Sequence, residues 1–102
     1  MGKHRDRLDI IVDILKVAKE GSTKTNIMLK ANLSYDLLER YLELAVTYGL
    51  MRLNSKNYQL TESGKKFLYK YVYFRDRYSK IQGLINDLNC ERKMIEQTIE
   101  PK

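Results

Sequence analysis

The chain has 102 residues, of which 43% are hydrophobic and 31% are charged, and its formal net charge is +6. This composition fits one globular domain with room for an appendage, and it is too apolar for a disordered chain. No apolar run reaches about 18 residues, so no membrane span is expected, and the polar start shows no secretory signal. The basic balance suits a polyanionic partner, above all nucleic acid.

The scarcity of histidine and cysteine argues against an enzyme. His4 and Cys90 are the only ones in the sequence, and no glycine-rich phosphate loop or cluster of metal ligands accompanies them. One cysteine excludes an intramolecular disulfide and a cysteine-based zinc site, and it fits a reducing, cytoplasmic location. We therefore expect no catalytic residue, no metal, no cofactor and no small-molecule substrate.

Two helices are predicted before the first internal turn. Apolar side chains recur at helical spacing over residues 5–19, and Gly21 ends that helix. Ser22 or Thr23 is expected to cap a short second helix that runs to about Lys30. The first helix would bury one stripe, formed by Leu8, Ile11, Ile14, Leu15 and Ala18.

A third helix follows closely. Asn32 suits a left-handed position in the turn at residues 31–33. Ser34 is expected to cap the helix, which runs to Tyr48 and ends at Gly49. Its buried side would be formed by Leu37, Leu38, Leu42, Ala45 and Val46.

A short hairpin and a long helix complete the chain. In LMRLNSKNYQL, at residues 50–60, apolar and polar residues alternate on both sides of a central segment of turn-forming residues, 54–57. Thr61 can cap a fourth helix from Glu62 to about Ile99. That helix would be roughly 55 Å long at about 1.5 Å per residue.

This order of elements is typical of a winged helix-turn-helix domain, in which the hairpin is the wing and the third helix reads DNA. The start of the third helix would face base edges in the major groove. We expect a mostly α fold, with three helices plus a short β-hairpin forming the winged helix-turn-helix domain at residues 1–63. Residues 64–102 would form a C-terminal dimerisation helix.

The last helix carries an apolar stripe at heptad spacing. Successive positions are separated by 4, 3, 4, 3, 4, 3, 7 and 4 residues, and the step of seven skips Arg92. The helix could pack on its own domain, but a domain of this size cannot cover the whole stripe, which favours a homodimeric coiled coil. The predicted interface consists of Phe67, Tyr71, Phe74, Tyr78, Ile81, Ile85, Leu88, Arg92, Ile95 and Ile99.

The charges beside this stripe favour an antiparallel pair. Parallel helices would set like charges against each other in two heptads. If antiparallel helices cross near Gly83, Arg77 meets Glu91 of the second copy twice by symmetry. Arg92 would then lie opposite Phe74 of the second copy, where a cation–π contact could form.

The segments GSTKTNIMLKANLSYDLLERYLELA (21–45) and YQLTESGKKFL (58–68), with the hairpin and the long helix, resemble the Sulfolobus "10a" family of small archaeal DNA-binding proteins. The most specific part is KTNIMLKANLSY, at residues 24–35. The resemblance implies a winged helix, a dimer through an antiparallel coiled coil, and DNA binding with little sequence selectivity. A nucleoid-associated or regulatory role in an archaeon is implied by the resemblance alone.

The third helix departs from a simple DNA-reading helix in its charge. Residues 34–48 hold three acids and one base, Arg40, and Asp36 is placed to pair with it. Glu39 and Glu43 would lie near phosphates. Affinity for DNA is therefore expected mainly from cations outside this helix and from the amides at its start.

The candidate DNA contacts surround the third helix and the wing. Lys3, Arg5 and Arg7 at the N-terminus and Lys65, Lys66 and Lys70 in the fourth helix are further candidates. Many of these residues have a purely structural alternative, as helix caps, turn residues or solvated surface. The predicted double-stranded DNA-binding residues are Lys24, Lys30, Ser34, Tyr35, Arg40, Arg52, Lys56 and Asn57.

Two other functions stay open at this point. The acidic third helix could bind a basic protein in an interaction module that uses the coiled coil without DNA. Alternatively, the dimer could be a sequence-specific repressor. Substitution of the acids and selection from random duplexes, respectively, would distinguish these from a DNA-binding protein of low selectivity.

Overall fold

A computed structural model describes residues 5–100 of the chain, in four helices and three strands. The helices are α1 (Arg7–Val17), α2 (Lys24–Lys30), α3 (Tyr35–Thr47) and α4 (Glu62–Thr98), and the strands are β1 (Ser22–Thr23), β2 (Met51–Asn54) and β3 (Asn57–Leu60). The expected winged helix-turn-helix arrangement and the long last helix are confirmed. The chain divides into two compact units between Tyr71 and Val72, within α4.

Side-chain caps fix where the helices begin. Thr23 accepts a hydrogen bond from the backbone of Asn26 at 3.3 Å, and Ser34 accepts one from Leu37 at 3.3 Å. Thr61 accepts from the backbone N–H of Gly64 at 3.0 Å, as the sequence predicted for α4. The start of α1 differs from the prediction, because Asp6 and Asp9 form a reciprocal capping box there.

Backbone conformation confirms the predicted turns. Asn32 has a φ of 55° between α2 and α3, and Gly49 has a φ of 75° after α3. In the hairpin, Ser55 also has a positive φ, of 62°. The turns at Asn32 and Gly49 thus lie where the sequence predicts them. The hairpin turn was also predicted, but Ser55 was not identified as its residue of positive φ.

The sheet has one strand more than expected. β3 lies between β2 and β1, and both of its neighbours run antiparallel to it. Ser22 pairs with Tyr58, and Thr23 with Asn57. The sequence predicted Ser22 and Thr23 only as caps, because a strand of two residues has no periodicity to detect. β1 ties the segment before α2 to the wing.

The core of the first unit lies between the three short helices and the sheet. Its largest fully buried side chains are Val12, Ile14, Leu15, Ile27, Leu38 and Met51. Leu8 and Val46, which were predicted to be buried, are 41% and 40% exposed because they lie at the edges of the apolar faces of α1 and α3. The core holds α2, α3 and the wing in fixed positions.

The first turns of α4 belong to this core. Gly64 and Leu68 are buried, and Phe67 and Tyr71 are partly buried against the core. The Tyr71 hydroxyl donates to Asp9 Oδ1 at 3.4 Å. Phe67 and Tyr71, which the heptad pattern assigns to a dimer seam, thus pack against their own unit. Their role in an interface stays a prediction.

Candidate nucleic-acid interface

The start of α3 is a polar surface, and Ser34 is the residue that caps it. Ser34 occupies the cap, so its hydroxyl already serves the Leu37 amide. Tyr35 follows at the first helical position and is 58% exposed. The unpaired N–H groups of the first turn, together with the helix dipole, make this end attractive to an anion.

Lys24, Glu39 and Tyr35 form a charged cluster beside this helix start. Lys24 Nζ, from the first turn of α2, lies 2.5 Å from Glu39 Oε2 on α3. The ammonium also lies 5.6 Å from the centre of the Tyr35 ring, within reach of a cation–π contact. Interaction with the same Glu39 carboxylate raises the pKa of the Tyr35 hydroxyl, which places Tyr35 in this cluster. The cluster joins α2 to α3 across the turn.

Hydrogen bonding shifts the titration of all three groups. Hydrogen bonding to Lys24, and to a smaller extent to Tyr35, lowers the pKa of Glu39 below its usual value. The hydrogen bond to Glu39 raises the pKa of Lys24 and likewise raises the pKa of Tyr35. The carboxylate therefore stays ionised and the ammonium stays protonated near neutral pH.

The ion pair predicted within α3 does not form. Asp36 and Arg40 are not paired in the described residues; instead the Arg40 guanidinium lies 5.9 Å from the centre of the Tyr41 ring. The acid that is paired is Glu39, with Lys24 from the preceding helix. Two residues far apart in sequence are involved, so helical spacing alone could not identify this pair.

The wing carries two further predicted contacts on its exposed side. Arg52 on β2 and Lys56 in the turn are both exposed. Asn57 is exposed too, but its backbone pairs with Thr23 and Asn54, so it has a structural role in both hairpin and sheet. Lys30, the last residue of α2, is also exposed.

Arg5 has a structural role that the sequence did not predict. Its guanidinium donates to Asp13 Oδ2 at 3.0 Å and to the backbone oxygens of Ala31 and Asn32, each at 2.7 Å. Arg5, which was expected to bind phosphate, therefore connects α1 to the turn before α3. Arg7 is exposed, and Lys3 lies outside the described residues.

A groove of about 570 Å³ runs between α3 and the wing. Glu39, Glu43 and Arg40 line it together with the apolar side chains of Val46 and Leu53. Leu53 is 52% exposed, so its apolar surface is accessible. The sequence predicted the acids but not that they share a groove with an exposed apolar wall, since that depends on how the hairpin packs on α3.

The second unit presents the predicted stripe on one helix. Arg92 Nε lies 3.3 Å from Glu96 Oε2 one turn later, and the rings of Phe74 and Tyr78 are 5.9 Å apart. Cys90 is exposed. The apolar members of the stripe in this unit are between 44% and 83% exposed in the single chain: Phe74, Tyr78, Ile81, Ile85, Leu88, Ile95 and Ile99.

Within residues 5–100, no three His, Cys, Asp or Glu side chains gather in a way that could hold a metal ion. His4 lies outside that range. None of the helices in the described part of the chain is both long and apolar enough to cross a membrane.

Comparison with known proteins agrees with this geometry. The uncharacterized protein MJ0287 of Methanocaldococcus jannaschii is 37% identical over 70 residues, which span 68% of this chain and 71% of that one. The crystal structure of Sso10a-2, a DNA-binding protein from Sulfolobus solfataricus, superimposes with a TM-score of 0.62 and covers 96% of this chain and 100% of that one. At 20% identity, that likeness concerns the fold, and it confirms the resemblance to the Sulfolobus 10a proteins at that level. The family model of the winged helix-turn-helix matches residues 4–79, so the chain belongs to the winged helix-turn-helix family.

Proposed function

We propose that this protein is a homodimeric, cytoplasmic DNA-binding protein of low sequence selectivity, with a nucleoid-associated or transcription-regulatory role. The observation that carries the proposal is a winged helix-turn-helix over residues 4–79 in a chain of net charge +6. The similar fold of Sso10a-2, described as a DNA-binding protein, supports it. The proposed role involves no catalysis.

DNA would be held mainly through its phosphates. The amides at the start of α3 and the Ser34 hydroxyl can donate to one phosphate, while Lys30 at the end of α2 and Lys56 in the turn of the wing are exposed cations. Arg40 and Arg52 are exposed as well and would add contacts from α3 and the wing. Because phosphate contacts carry no base information, low selectivity follows.

The dimer would form through the second unit. Seven apolar side chains of the stripe are exposed there. Exposed apolar residues at heptad spacing are typical of a helix that packs against another helix in a coiled coil. An antiparallel pair sets Arg77 against Glu91 of the second copy, which supports that orientation over a parallel one. Two copies would give each dimer two DNA-binding domains.

Fluorescence anisotropy with labelled duplexes tests the proposal. At about 50 mM salt and micromolar protein we expect binding of several unrelated duplexes with similar affinity, and a steep loss as salt rises. The variant Lys56→Ala should reduce the slope of log affinity against log salt by about 0.9 if that lysine contacts one phosphate. No binding of any duplex under these conditions would refute the proposal, and a strong preference for one palindrome would favour a repressor.

The acidic, partly apolar groove between α3 and the wing favours one alternative, a protein-interaction module. Glu39 and Glu43 repel phosphate, and Leu53 offers an apolar contact that DNA phosphates cannot use. The double variant E39K/E43K separates the two functions. Tighter binding to every duplex supports the DNA-binding proposal, whereas loss of a protein that co-purifies with the wild type, without a gain on DNA, supports the alternative.

A further inference from the structure

We infer that Glu39 competes with DNA phosphate for Lys24 and Tyr35, and that it thereby sets how tightly the start of α3 holds a duplex. The inference rests on the proposed DNA-binding function and deepens it. Glu39 would then act as an internal substitute for phosphate. It would not be merely an unfavourable negative charge on the helix that faces DNA.

The geometry of the cluster supports this role. The Glu39 carboxylate takes the Lys24 ammonium at 2.5 Å, and that ammonium lies 5.6 Å from the centre of the Tyr35 ring. An ammonium and a phenol hydroxyl are donors that proteins also use to hold phosphate oxygens. Both donors lie beside the capped start of α3, where backbone amides also attract an anion. The carboxylate therefore occupies donors that a DNA backbone would use.

The cluster is accessible to DNA. The side chains of Lys24 and Glu39 are 37% and 41% exposed, and Tyr35 is 58% exposed. A phosphate that takes the donors now used by Glu39 must displace its carboxylate, and the displaced carboxylate then remains near the phosphate as a like charge. Both effects lower affinity at this position without altering the fold.

Glu43 provides a matched control. It lies one helical turn after Glu39 on the same face of α3 and lines the same groove. It is exposed, and in the described residues no cation pairs with it. Glu39→Gln and Glu43→Gln each remove one negative charge from the same surface, but only the first also releases Lys24 and Tyr35.

The test is a set of anisotropy titrations on one labelled duplex over a range of salt concentrations. We expect E39Q to bind several-fold more tightly than E43Q at low salt, with a slope of log affinity against log salt steeper by about 0.9. Adding Lys24→Met to E39Q should restore the wild-type slope, because the newly available cation is lost. Thermal unfolding of each variant verifies that the domain stays folded.

The outcomes separate this inference from the proposed function. Equal gains and equal slopes for E39Q and E43Q would mean that Glu39 acts only as one more negative charge, which overturns the inference and leaves DNA binding intact. Absence of binding by the wild type and by every variant would overturn the inference and the proposed function together. A steeper slope in E39Q that persists with K24M would also contradict it, because Lys24 would then not be the cation involved.

Discussion

Gly64 in the first turn of α4 lies directly against the backbone carbonyl of Leu50: a Cβ at Gly64 would be 2.0 Å from that oxygen. The same carbonyl accepts a hydrogen bond from the Thr61 amide at 3.0 Å, so it is held in place. Because the obstructing atom is backbone, it cannot move aside like the end of a flexible side chain. This close approach joins α4 to the end of α3 and the start of the wing.

Gly64→Ala should therefore destabilise the protein by about 1–3 kcal/mol, since the added methyl group forces the backbone apart. Urea unfolding at fixed protein concentration measures the change. Gly83→Ala is the matched control, because Gly83 lies in the same helix with nothing within 4 Å of an added Cβ. That substitution should stabilise by up to about 1 kcal/mol through helix propensity. Equal stability of the two variants would contradict the packing described.

Arg5→Ala should destabilise the first unit by about 1–2 kcal/mol, because it removes a charged donor from Asp13 and from two backbone oxygens. Arg7→Ala removes the same charge from an exposed position and should change stability by less than about 0.5 kcal/mol. Thermal unfolding distinguishes the two variants. If they have the same melting temperature, the contacts of Arg5 with the turn before α3 contribute nothing measurable.

The Glu39 carboxyl should titrate below its usual pKa of 4.5, because Lys24 and Tyr35 donate to its ionised form. A lowered pKa means that its contribution to stability is present above the unfolded-state pKa and is lost as the pH falls through the folded-state pKa. The raised pKa of Lys24 sets the upper end of the pH range. The contribution of the Lys24 ammonium to stability is present below its unfolded-state pKa and is lost as the pH rises through its folded-state pKa.

A carbon-detected NMR titration measures the Glu39 midpoint directly. In Lys24→Met the midpoint should rise toward the usual value, because the hydrogen bond that lowers the pKa of Glu39 most is gone. An unchanged Glu39 midpoint would show that the ion pair does not persist in solution.

Ile85→Asp should dissociate the proposed dimer. Each copy would lose about 1.5–3 kcal/mol of apolar burial, and a carboxylate would enter the seam without a partner. Sedimentation velocity across a concentration series reports the dissociation. Cys90→Ser, at an exposed position outside the stripe, should leave the association unchanged. Dimerisation of Ile85→Asp as strong as that of the wild type would place the interface elsewhere.

The local signals in the sequence were reliable for this fold. Ser34 and Thr61 were predicted as caps and do cap helices, and Asn32 adopts the expected positive φ, because each depends only on neighbouring residues. The winged-helix topology followed from the order of such elements. The hairpin alternation likewise needed no distant information.

Features that depend on distant residues could not be read in this way. The pairing of Lys24 with Glu39 joins two helices, and the contacts of Arg5 with Ala31 join the N-terminal segment to a turn. Phe67 fits a heptad equally well whether it packs on its own unit or on a second copy, and in the structure it is half-buried against the core. Tertiary packing decides each of these, and periodicity carries no information about it.

The most direct test of the account is sedimentation of the protein with a fluorescent duplex, which measures mass and DNA binding together. At about 50 mM salt we expect the smallest complex to contain two protein chains, and at several hundred millimolar salt we expect unbound duplex beside an intact protein dimer, because salt weakens phosphate contacts far more than apolar ones. A complex with one chain per duplex, or a dimer that leaves the duplex unbound at low salt, would contradict the account.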